Sequence, residues 1–287
     1  MSTGIAARFS TRELQAAADA LAAGRFATSG GSTTTVAAGP AVVVARGRAV
    51  EEGEESAPPV TGNLPAGLRP LVRVRAANAG AGASTITLAL ADAADAAGLR
   101  ARILDAAAPA WSGLVGATVT ELGASEGWRR GRRGSNVLID RVEVPIHVPA
   151  EVPTPRAVDG VDLTVLDAGW TPRELAASPE AWVAASPAQV EVLVTRPNGL
   201  ALSQTEAALA ALAEELAAEQ VLVMVVGAGR WSDREFSSAG RLLRTAHEQE
   251  AVLFAPLLPA KALPGLGPDP LPKQLTNPSQ HLLERIT

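Results

Sequence analysis

From Arg69 to the C-terminus the chain alternates short, almost wholly apolar runs with Ala/Leu-rich stretches of helical period, and this alternation narrows the fold more than any other feature. The apolar runs are 71–76 (LVRVRA), 101–105 (ARILD), 136–148, 161–167 (VDLTVLD), 190–196 (VEVLVTR), 221–226 (VLVMVV) and 251–256 (AVLFAP), with 136–148 expected to divide into two strands near Val142. Runs this apolar lack the in/out alternation of a half-exposed strand and suit a sheet covered on both faces. Helical patterns fall on 83–97, on part of 172–185, on 203–219 and on 233–248. In 203–219, Ser203 and Glu206 have the spacing of a capping box, and Leu209, Leu212 and Leu216 share one stripe. Strand and helix in alternation predict an α/β, doubly wound, mostly parallel sheet with right-handed crossovers, filling residues 68–287 as one domain. Near the end Leu282, Leu283 and Ile286 form an apolar stripe that is expected to pack on that domain.

Residues 1–67 read differently. Ser10-Thr11-Arg12-Glu13 opens a short amphipathic pattern that predicts a helix over 11–24. Ser/Thr/Gly-rich residues, an acidic stretch from Glu51 to Glu55, and Pro58-Pro59 follow. Such composition buries too little apolar surface to offset ordering entropy, so an N-terminal arm or linker is expected.

Composition removes several chemistries. The chain has no cysteine, which excludes disulfides, thiolate metal sites and Cys nucleophiles. His147, His247 and His281 are scattered, so a multi-His metal centre is not expected. A net charge of -5 argues against a globally basic nucleic-acid binder. No apolar run reaches the ~18 residues of a membrane span, and the first residues lack a signal peptide's apolar core; a soluble, cytoplasmic protein is expected. Lysine occurs only at Lys261 and Lys273, so no mechanism can draw on a lysine earlier in the chain.

In an open parallel sheet, ligands gather at the carboxyl ends of the strands. The first such turn is Ala76-Ala77-Asn78-Ala79-Gly80-Ala81-Gly82-Ala83-Ser84-Thr85. Its small residues would let backbone amides approach a phosphate, and the helix that follows adds free N–H groups and a positive dipole end. Candidate phosphate-binding residues are therefore Asn78, Gly80, Gly82, Ala83, Ser84 and Thr85. Ser84, Asp105 and Asp167 are candidate Mg²⁺ ligands, since both aspartates end core strands and can face the turn. Those carboxylates lack a neighbouring His or Lys for acid/base work, and the sequence around Ser84 is not G-x-S-x-G. Trp128-Arg-Arg-Gly-Arg-Arg-Gly134 is the densest basic patch, expected as a mobile loop. Arg129, Arg130, Arg132 and Arg133 are weak candidates for contact with an anion or nucleic acid; a solvated loop or a protein contact is the plainer reading. Thr195-Arg196-Pro197-Asn198-Gly199 reads as a turn shaped by Pro and Gly.

The segment Asn78-Ala-Gly-Ala-Gly-Ala-Ser-Thr85 resembles the deviant P-loop of the ParA/MinD-type ATPases, K-G-G-x-G-K-[ST]-T. The run ending in Asp105 is similar to that family's strand ending in D-x-D-P, and Val161 to Asp167 with Ala168-Gly169 resembles its Walker B strand. Later runs follow the family's order, and Gly227 to Trp231 resembles a loop beside the nucleotide base. The resemblance implies a P-loop fold over roughly residues 69–285, ATP or ADP with Mg²⁺ as ligand, and a protein partner or homodimer. It also implies a role in partitioning, positioning or conjugative transfer. The departures matter as much. The signature lysine falls on Asn78, the Walker lysine on Ala83, and the second aspartate of D-x-D on Ala107. Losing one charge-assisted hydrogen bond removes ~1.5–3 kcal/mol, or ~10–100-fold in affinity. A degenerate member is expected, non-catalytic or weakly nucleotide-binding, or with no cofactor at all. One alternative is an ATPase switch that takes a cation in trans. Another is a structural domain that contacts nucleic acid through Arg129–Arg133. Arg73 and Arg75 on the first strand are candidate replacement cations, although a planar guanidinium fits poorly inside a tight nest.

Overall fold

The computed structural model describes residue 68, residues 70–259 and residues 265–287; the expected arm, with its helix at 11–24, lies outside the described residues. The strands are β1 (Leu71–Ala76), β2 (Ala101–Asp105), β3 (Thr120–Ser125), β4 (Trp128–Arg133), β5 (Val137–Val142), β6 (Leu163–Asp167), β7 (Val190–Thr195), β8 (Val221–Val226) and β9 (Val252–Ala255). The helices are α1 (Ala83–Ala96), α2 (Pro172–Ala176), α3 (Trp182–Ala185), α4 (Gly199–Ala210), α5 (Ala213–Ala217), α6 (Asp233–Ser237), α7 (Arg241–Glu248) and α8 (Lys273–Ile286).

The strands form one nine-stranded sheet in the order β3-β4-β5-β2-β6-β1-β7-β8-β9. Every pair from β5 to β9 is parallel, and β3–β4 and β4–β5 are antiparallel. Successive strand residues point to opposite faces, and the core divides accordingly. Val72, Ile103 and Val165 join α1, α4, α7 and α8 on one face. Their neighbours Leu71, Leu104 and Leu166 join Trp128, Leu175 and Val183 on the other. Both faces are covered, which is why β2, β6, β7 and β8 are buried along their whole length and read as mostly apolar runs. The stripe near the C-terminus packs as expected: α8 lies against α1 with Leu282, Leu283 and Ile286 buried.

Four expectations need correction. First, 136–148 holds a single strand, β5; Pro145 has no N–H to give a ladder, and Ile146 instead enters the core from irregular chain. Second, the arginine segment is not a loop but strand β4, paired on both sides. Third, the helix expected over 203–219 starts at Gly199, where Asn198 accepts from the Ala201 amide at 3.0 Å. Ser203 is exposed, and Glu206 reaches away to the Leu242 and Leu243 amides at the start of α7, at 2.8 and 3.0 Å. That helix also breaks before α5, although Leu209, Leu212 and Leu216 are buried as their spacing predicts. Fourth, 233–248 is divided into α6 and α7 around Ala239-Gly240.

Candidate functional site

The turn after β1 is held open by glycine. Gly80 (φ 69°) and Gly82 (φ 104°) lie in left-handed conformations that side chains with a Cβ rarely adopt. Gly82 is the residue before α1, and no side chain caps that helix. By contrast Thr171, Asn198 and Ser232 cap α2, α4 and α6. The first-turn amides of α1 are thus left for a ligand, at the positive end of a 14-residue helix packed on the sheet. A cleft of about 770 Å³ opens here, lined by all six candidate phosphate residues together with Asp167, Arg196, Trp111 and Trp170.

Asp105 and Asp167 sit side by side because β2 and β6 pair in register at these residues. Beyond them the two chains touch: a Cβ on Gly169 would lie 2.5 Å from the Ala107 backbone, so only glycine permits this approach. Asp167 is 2 % exposed and lines the cleft, and its Oδ2 has no partner. Its other contacts are the Ser84 hydroxyl and the Gly169 backbone. Asp105 lies behind it, accepting from the Ala107 amide at 3.1 Å and from the Ser112 hydroxyl. Burial pushes both carboxyls up, Asp105 to about 6 and Asp167 to about 7; for Asp167 the neighbouring Asp105 adds to the effect. A divalent cation would remove that cost. Mg²⁺ is held by one or two carboxylates with water and phosphate oxygens, and a buried unpartnered oxygen beside a serine hydroxyl fits that demand. Among the described residues no cluster of three or more acidic, His or Cys side chains forms a metal cage, so water or phosphate oxygens would fill the rest of an ion's shell here.

The positions that stand in place of the two lysines behave differently from each other. The Asn78 amide donates to Thr195 Oγ1 at 3.2 Å, tying the turn to β7, and the Thr195 and Thr205 hydroxyls are hydrogen-bonded to each other at 2.6 Å. Ala83 lines the cleft, and its side chain has no polar group to offer. Neither strand arginine supplies the missing charge. Arg73 is buried against Glu191 and the carbonyls of Val183, Ala184 and Ser186, and Arg75 also binds Glu191. The cation that does reach the cleft is Arg196, whose Nη2 and Nε donate to the Gly80 carbonyl at 2.8 and 3.1 Å. Read from sequence as part of a plain turn, it was discoverable by the same carboxyl-end rule that singled out the glycine turn.

The arginine patch lies elsewhere. Arg129 pairs with Glu143, and Arg130 grips Asp140 at 2.6 and 2.7 Å. Arg133, 2 % exposed, binds both oxygens of Asp92 and the carbonyls of Ala117, Gly267 and Asp269. Of the four, Arg132 alone is exposed without an ion pair among the described residues. Three of these charges therefore hold the domain together.

The fold is α/β: a mostly parallel sheet with the glycine turn between β1 and α1 at its carboxyl edge and the Asp167 strand beside β1. It is similar to a ParA family ATPase from Chlorobium tepidum (10% identity, 75% of this chain and 99% of that one, TM-score 0.49). It is similar also to the cell division ATPase MinD of Pyrococcus furiosus (19% identity, 75% and 97%, TM-score 0.46). A third similar structure is a plasmid partition protein of Borrelia burgdorferi solved with AMPPNP (13% identity, 75% and 97%, TM-score 0.43). No protein-family model matches the chain. No curated protein matches it either. Among the described residues no helix is long and apolar enough to cross a membrane.

Proposed function

We propose that this domain binds a magnesium-complexed adenine nucleotide in the cleft without hydrolysing it at a useful rate, and serves as a scaffold or partner in positioning, partitioning or transfer. The observation that carries this reading is the buried, unpartnered Oδ2 of Asp167 beside Ser84, facing a glycine nest whose helix has no side-chain cap. Nest and carboxylate together suit a phosphate bridged to a cation, and Asp167 Oδ2 has no partner within the protein. The non-catalytic part rests on Asn78 and Ala83: phosphoryl transfer relies on positive charge around the moving group, and neither residue supplies any. The biological setting is what the resemblance of the turn and strand ends implies.

Titration calorimetry with Mg-ADP and Mg-ATP, joined to a phosphate-release assay, tests the proposal. The expected result is binding weaker than about 10 µM, or about 7 kcal/mol, with no phosphate release above the uncatalysed background. Tighter binding with steady turnover would show a working ATPase switch. Absence of any heat or fluorescence change from Trp111 and Trp170, both in the cleft lining, would remove the nucleotide.

A further inference from the structure

Resting on the nucleotide reading of the cleft, we infer that Arg196 is the cation that binds the ligand's polyphosphate, acting within the same chain from the carboxyl end of β7. Among the described residues that line the cleft it is the sole arginine or lysine, whereas Asp167 and Glu174 make the other walls acidic.

The guanidinium is mounted beside the nest and not inside it. Its Nη2 and Nε hold the Gly80 carbonyl at 2.8 and 3.1 Å, and Nη1 lies 3.4 Å from the Val226 carbonyl. This placement answers the steric objection to a planar group in a tight turn. A guanidinium carries more N–H groups than these contacts use, so it can grip phosphate oxygens while still holding Gly80. Its mount is firm: the preceding Thr195 is fully buried and bonded to both Asn78 and Thr205. One short segment of β7 thus ties the turn through Thr195 and presents a charge to it through Arg196. The ligand class that satisfies this arrangement is a diphosphate or longer, with one phosphate on the α1 amides and its neighbour on the arginine.

The experiment is calorimetry on the full chain with Mg-ADP and with Mg-pyrophosphate. R196A, R196K, the double variant A83K/R196A and the charge control K273A are compared with the parent protein. R196A is expected to weaken both ligands by at least about tenfold, with R196K between R196A and the parent. A83K/R196A is expected to recover affinity to within about threefold, since an ammonium at 83 would replace the lost charge, and K273A should change nothing beyond that margin. If the parent binds and R196A binds equally well, the role given to Arg196 is wrong while the nucleotide reading stands. If R196A loses affinity and A83K restores none of it, Arg196 is only a clasp on the turn and the inference fails. If the parent binds neither ligand, both the reading and the inference fail together.

Discussion

Two adjacent buried carboxyls set the chemistry at the scale of single residues. Both have folded-state affinities for protons above the ordinary carboxylate range, so the folded protein binds protons that the unfolded chain releases. The sign follows: stability of the metal-free protein should rise as pH falls from about 8 toward about 5.5, the window below the Asp167 value of about 7 and through the Asp105 value of about 6. Urea denaturation across that range checks it, and Mg-ADP should flatten the slope by neutralising the pair. Asp167→Asn removes the buried charge. It should stabilise the metal-free protein, by an amount on the order of 1–4 kcal/mol, while abolishing any stabilisation by Mg-ADP. Arg133 shows the opposite case. Arg133→Ala would strand Asp92 and three carbonyls, at a loss of about 3–5 kcal/mol in unfolding free energy. Asp167 and Ser84 were legible in the sequence because strand ends and glycine turns announce themselves locally. Arg133 was not, because a run of arginines reads as free charge until folding supplies Asp92 from another element.

The same contrast holds among elements. Spacing in the sequence favours Ser203 with Glu206 as the start of α4, whereas the fold uses Asn198. Asn198→Ala should therefore lose about 1 kcal/mol of stability, and Ser203→Ala should stay within about 0.5 kcal/mol of the parent; paired urea curves separate the two. The reason is positional. Thr195 is locked into the sheet and its bonds to Asn78 and Thr205 fix where the chain leaves β7, so the helix starts as soon as Pro197 is passed. Glu206, released from that duty, caps α7 instead. β3 and β4 give no strand signal in the sequence: β3 is exposed throughout and β4 is mostly arginine and glycine. Neither carries an apolar pattern; β4 is a strand because β5 offers it an edge to pair with, and β3 because β4 then does the same.

At the scale of the whole molecule the site is a meeting of strand ends. β1 brings the turn, β6 brings Asp167, β7 brings Arg196, and β2 supports from behind with Asp105. Two carboxylates hold Mg²⁺ weakly on their own, and phosphate oxygens of a nucleotide would strengthen its hold. Mg²⁺ alone is expected to leave the thermal midpoint unchanged, whereas Mg-ADP at about a hundred times its Kd should add about 2.7 kcal/mol of stability. Ala83→Lys should raise nucleotide affinity by about tenfold or more, as one charge-assisted bond would. An unchanged Kd in that variant would show that the turn no longer serves as a phosphate site.

The chain's own pattern was enough for the α/β class, the identity of the parallel core strands, the glycine turn, the two aspartates and the loss of both lysines. These are local properties: apolar runs, helix period and the conformational freedom of glycine can be read within a few residues. Tertiary structure alone decided which arginines are spent on internal pairing and which one faces the cleft, where α4 begins, and that a polar hairpin extends the sheet. Each of those outcomes depends on a partner distant in sequence, and no residue carries a mark of the neighbour that folding will bring to it.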